Sequence, residues 1–151
     1  MTRVLLIAAL LTTAAVQPGW AASKGASHSS PGCYEPGAAE AEEAIRFLTD
    51  VMVVSSVCQD TVYAEFRLRN QEQIRAYQKA LIAHHHGTAG FDRWNTSLAN
   101  AAAQKEGGNQ QLCQQSVALL QQAKSLDPQG FRAFAASRAA AADARYPKCG
   151  K

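Results

Sequence analysis

An apolar leader followed by four widely spaced cysteines, Cys33, Cys58, Cys113 and Cys149, constrains this 151-residue chain more than any other feature. Arg3 supplies a short positive segment, Val4 to Val16 an apolar stretch broken only by Thr12-Thr13, and Gln17-Pro18-Gly19-Trp20-Ala21-Ala22 a region of mostly small residues. That order is the one a secretory signal peptide requires. Small residues at −3 and −1 fit cleavage after Ala21, or after Ser23 with Ala21 at −3. The apolar stretch is shorter than the roughly 20 residues needed to span hydrocarbon, which disfavours an uncleaved anchor. The expectation is a signal peptide over residues 1–21, with cleavage possible up to 23, and an exported product. The compact positive segment and Ala-rich leader look bacterial, which makes the periplasm the first expectation, with secretion as the alternative.

An even number of cysteines in an exported chain reads as a set of disulfides. No Cys-x-x-Cys occurs, which disfavours a thioredoxin-like pair or a zinc ribbon, and no Cys-x-x-Cys-His occurs to attach a c-type haem. A thiol left free in such a compartment tends to be oxidised, which counts against a catalytic cysteine. Cys58 and Cys113 lie inside helical patterns, whereas Cys33 and Cys149 lie in Pro/Gly-flanked tails. The expected pairing is therefore nested: Cys58–Cys113 within Cys33–Cys149.

Residues 1–21 carry Arg3 and no acid, so their removal leaves 14 basic against 12 acidic residues, a net charge of +2. So small a charge, with no basic run interleaved with aromatics, excludes nucleic acid as an expected partner. Beyond the leader the densest apolar run is Val51-Met52-Val53-Val54, a core turn and not a transmembrane segment.

Residues 22–37, rich in Ser, Gly, Pro and His, read as a flexible linker pinned at Cys33, and residues 38–151 as one helical domain. Five helices are predicted, making an all-α bundle. The first starts at Ala38, with Glu40, Glu42 and Glu43 near its N-terminus as partners of the helix dipole. Its apolar residues form two stripes, Phe47, Val51, Val54 and Cys58 beside Ile45, Leu48 and Met52, so it is the expected central element. The second runs over about 61–86, with Tyr63, Phe66, Ile74, Tyr77 and Leu81 in period and Asn70 where an apolar residue belongs. Asn70 reads as a buried amide or a local break. Glu65 and Arg69 are spaced for an i,i+4 ion pair, and Gly87 for a C-terminal stop. A third helix over about 89–104 presents Phe91, Trp94, Leu98 and Ala102. Gly107-Gly108-Asn109 separates it from a fourth, whose core face is Leu112, Leu119, Leu120, Ala123 and Leu126 and whose other face is largely Gln. Asp127-Pro128 is an N-cap followed by Pro at the first helical position, and opens a fifth helix reaching about Tyr146.

No motif names a reaction. His84-His85-His86 is the candidate metal-binding run, although successive helical residues point about 100° apart and three adjacent imidazoles cannot share one ion while helical. Two of them can, if the helix frays before Gly87 and another segment supplies ligands. The competing role is a C-terminal turn whose imidazoles meet the negative end of the dipole. Asp92, Arg93, Trp94 and Asn95 form the most function-like cluster, with Arg67 and Tyr77 as further candidate binding residues. A hydrolase built on Ser97 and the 84–86 histidines can be drawn, but no Gly-x-Ser-x-Gly turn holds that serine.

No catalytic set or cofactor signature stands out. The favoured function is a non-enzymatic protein that binds an envelope protein or a small ligand through a groove between helices, which Tyr63, Tyr77 and Trp94 are placed to line. The alternatives are a metal-dependent or hydrolytic enzyme using His84–His86, and a holdase or stress protein of the envelope.

Overall fold

The longest helix, α1 (Ala38–Cys58), is buried over most of its circumference, as its double apolar stripe requires. The structure, a computed structural model, describes residues 32–106 and 110–150. The signal-peptide reading of residues 1–21, residues 22–31 of the linker and the Gly107-Gly108-Asn109 stop lie outside the described residues. Around α1 pack α2 (Val62–Arg69), α3 (Gln71–His84), α4 (Thr88–Glu106), α5 (Gln110–Gln115), α6 (Val117–Ser125) and α7 (Pro128–Ala141). A 3-10 turn, Asp143–Arg145, follows α7. Among the described residues no β-strand forms, and no helix is long and apolar enough to cross a membrane.

The centre of the core is aromatic. Phe47 of α1, Phe66 of α2 and Phe131 of α7 are fully buried, with ring centroids 5.7 Å apart for Phe47–Phe66 and 4.9 Å for Phe66–Phe131. Both contacts are edge-on, the arrangement that sets the positive rim of one ring on the negative face of the next. Tyr77 of α3 closes the group edge-on to Phe131 at 5.6 Å. Val51, Leu81 and Ala135 fill the space around them.

Two of the five expected helices are each divided in two. The predicted 61–86 helix breaks at Asn70, which is completely buried, so the amide and the break occur together. Asn70 Nδ2 donates to the carbonyls of Phe66 (3.0 Å) and Leu126 (3.2 Å), tying the bend to the end of α6. The expected Glu65–Arg69 pair gives way to a stronger use of the guanidinium. Arg69 donates to the carbonyls of Ala123, Lys124 and Leu126, the unsatisfied acceptors at the C-terminus of α6, while Glu65 accepts from Thr61. Ser116 interrupts the fourth helix, separating α5 from α6. The fifth ends at Ala141, five residues short of Tyr146, but its start is as read: Asp127 accepts from the Gly130 amide at 2.7 Å with Pro128 at the first position.

The bridges join Cys33 to Cys149 and Cys58 to Cys113, with Cα atoms 4.8 and 5.6 Å apart. Around the outer bridge the two chain ends lie side by side in a single parallel β-bridge between Tyr34 and Lys148. The Tyr34 amide donates to Pro147 O (2.7 Å) and the Cys149 amide to Tyr34 O (3.2 Å). This strap crosses one end of the bundle, over the start of α1 and the end of α3.

Candidate functional site

Three carboxylates stand on the first turns of α1 beneath the strap, and each accepts a phenol. Tyr77 donates to Glu40 and Tyr34 to Glu42, both at 2.7 Å, and Tyr146 donates to Glu43 at 2.5 Å. Glu42 and Glu43, read from the sequence as partners of the helix dipole, are almost fully buried. Their charges are met by arginines instead. Arg46 reaches Glu42 Oε1 through Nη2 (2.6 Å) and Nε (3.0 Å), while Arg138 and Arg145 each reach Glu43 at 2.9 Å. A buried carboxylate is tolerated only with such pairing.

This network moves protonation in definite directions. Burial, then the hydrogen bond to Glu43, pushes the Tyr146 phenol up to about 12. Tyr34 and Tyr77 are raised for the same reasons, by burial and by their carboxylate partners. For Glu43, burial alone acts to raise the pKa. Hydrogen bonds from Tyr146 and Arg138 and the charges of Arg138 and Arg145 outweigh it, and the carboxyl sits below its ordinary value of 4.5. A carboxylate depressed on folding contributes stability that is present above its unfolded pKa and lost as pH falls through the folded one. Urea midpoints are therefore expected to drop as pH is lowered below about 4.5. Glu43→Gln should weaken the protein at neutral pH and flatten that acid limb. An unchanged acid limb in the variant would show that Glu43 is not its source.

Beside the carboxylates the chain turns from α3 into α4. The α3 helix ends at His84, and the reversal is made by His86 (φ 57°) and Gly87 (φ 120°), both left-handed. Gly87 stands three residues beyond the last helical residue, and the left-handed position directly after the His85 cap is taken by His86. Gly90 lets α4 approach: a Cβ there would overlap the His85 carbonyl oxygen, so only glycine fits.

The result is a continuous stack of rings. Tyr146 lies edge-on to Tyr34 (4.8 Å), Tyr34 stacks on His84 (4.4 Å), His84 lies edge-on to His85 (5.0 Å), and His85 stacks on Trp94 (5.0 Å). Burial holds both His84 and His85 below the ordinary imidazole pKa, with neighbouring histidines acting in the same direction. His85 Nε2 is buried and has no hydrogen-bond partner among the described residues. The histidines open onto a cleft of about 530 Å³ bordered by Cys33, Glu35, Arg93 and Cys149. On the other side of the strap lies a second cleft of about 690 Å³, between Tyr34 and Tyr146 and the alanines of α7.

The other sequence candidates separate. Tyr77 is buried and donates to Glu40, while Trp94 is half-buried against His85. Asp92 and Arg93 are exposed on α4 and share a shallow, open groove with Thr96, Ser97 and Asn100. Asn95 is half-buried beside Trp94. Arg67 is exposed and borders another depression with Tyr63 and Arg75. Of the proposed binding set only Arg93 and Trp94 adjoin the histidines. Tyr34, Glu42 and Tyr146 were not singled out as site residues; the one available signal was Tyr34, the sole aromatic in an otherwise polar linker.

Comparison with protein-family models, curated proteins and solved structures finds no match to this chain.

Proposed function

We propose that this is an exported, non-enzymatic binding protein of the periplasm or another extracytoplasmic compartment, which holds a small ligand or an envelope partner at the strapped end of its bundle. One observation carries the reading: an open cleft is lined by imidazoles, and one imidazole nitrogen, His85 Nε2, is buried without a partner. Buried polar atoms in native structures are nearly always hydrogen-bonded, so an orphan beside a cleft points to something that completes it. The compartment is supported by two disulfides joining residues distant in sequence, which persist where thiols are not kept reduced. The carboxylates of Glu40, Glu42 and Glu43 at this end of the bundle are each engaged by a tyrosine, an arrangement suited to holding a shape.

The test is native mass spectrometry of the oxidised protein after gentle passage through an envelope extract. A stoichiometric adduct, lost in a His84→Ala/His85→Ala variant and released chemically unchanged, is the expected result. Recovery of the bare chain alone would count decisively against the reading. The same cleft supports a second reading, a metal-dependent or hydrolytic enzyme, since two imidazoles stand there beside the Glu42 carboxylate. Conversion of an extract component by the wild type, absent in the double variant, would select it.

A further inference from the structure

We infer that Glu42, His84 and His85 form a binding site for one divalent transition-metal ion, of the class that prefers imidazole with a carboxylate. The inference deepens the binding-protein reading and rests on the same cleft. A ligand atom from each of these three residues lies within 4.8 Å of the other two. Two ligands come from the last helical turn of α3 and its cap, and the third from the buried start of α1. This supplies the second segment that a helical histidine run needs. His86, left-handed and exposed, borders the same cleft but is not part of this three-ligand group.

The chemistry of the donor set fits. Two imidazoles and a carboxylate are a familiar three-ligand set for zinc, leaving a fourth position open to solvent or substrate. His84 and His85 both border the cleft, the side from which such a ligand would enter. His85 belongs to this group and its Nε2 is buried without a partner; a metal bond at that nitrogen would satisfy it in the neutral tautomer that leaves Nε2 unprotonated. Tetrahedral donors at about 2.0–2.1 Å from zinc stand about 3.4 Å apart, so the side chains must close slightly. Closing them calls for rotation of the two imidazoles against Tyr34 and Trp94, the rings they stack on. Tyr34 and Arg46 already hydrogen-bond Glu42 and would act as outer partners that hold the carboxylate in place. The strap thereby acquires a role in the site, because the phenol that orients Glu42 follows directly after Cys33.

The probe is Zn²⁺, titrated into the disulfide-bonded, chelator-stripped protein against a chromophoric zinc indicator. One ion per chain with micromolar or tighter affinity is expected. His84→Ala and His85→Ala should each weaken it at least tenfold, Glu42→Gln about tenfold, and His86→Ala less than twofold. Since Glu42 is buried and its variant can unfold, NMR of the wild-type histidine side chains provides an independent readout. Zinc should shift the His84 and His85 imidazole signals and leave His86 in place. No uptake of zinc, or uptake abolished by His86→Ala and indifferent to His85→Ala, overturns the assignment. If the stripped protein takes up no zinc yet still captures an adduct from the extract, the metal assignment falls and the binding-protein reading stands.

Discussion

Removing the outer bridge in a Cys33→Ser/Cys149→Ser variant is expected to lower the unfolding free energy by about 4–5 kcal/mol, the chain-entropy value for a loop of this length. The partners are 116 residues apart, so the bond removes a large share of the unfolded chain's freedom. Set against a total of about 5–15 kcal/mol for an ordinary domain, such a loss leaves the fold marginal. It should also act locally. Tyr34 is fixed over His84 and against Glu42 by residues adjoining the bridge, so releasing the strap frees the stack. Urea unfolding measures the first effect and the near-ultraviolet dichroism of the tyrosines the second. The Cys58→Ser/Cys113→Ser variant, with a separation of 55 residues, is expected to lose slightly less stability and to leave the tyrosine signal intact. A loss below about 1 kcal/mol on opening the outer bridge would mean that the ends stay docked without it, contrary to the loop-closure argument.

Phe47→Ala is the second large effect, expected to cost about 3–5 kcal/mol. Its ring is fully buried and touches Phe66, Phe131 and Phe134, the last at 4.6 Å, so truncation opens a cavity where α1, α2 and α7 meet. The neighbours cannot collapse into it without giving up their own edge-on contacts. Leu68→Ala is the matched control: Leu68 is 72% exposed, and its loss should change stability by no more than about 0.5 kcal/mol. Equal effects from the two substitutions would show that the aromatic group is not the core's centre.

The elements that proved legible in the sequence are those set by local physics. Asp127-Pro128 starts a helix because capping and a fixed φ need no distant partner. The nested cysteine pairing followed from which cysteines lay in helical patterns and which in tails. Asn70 advertised itself as an amide in an apolar register. What stayed hidden depends on partners far along the chain. Glu42 and Glu43 sit near a helix start, where a carboxylate is favourable in any case, and nothing local reveals that Arg138, Arg145 and Tyr146 arrive from some 100 residues away. Arg69 had a fitting neighbour in Glu65, yet the open carbonyls at the end of α6 offered three acceptors at once. The histidine run was visible as a motif, but that His84 and His85 come within reach of Glu42 depends on how the end of α3 meets the start of α1.

The outer cystine makes the molecule a closed circle of covalent bonds that contains every helix described. A protease that cuts any one interhelical turn opens this circle without releasing a piece, since both halves stay tethered through sulfur. A cut between Cys58 and Cys113 is spanned twice over. Cut at any turn other than the one through His85 and His86, a nicked copy would still hold its helices, and with them His84 and His85, on one covalent framework.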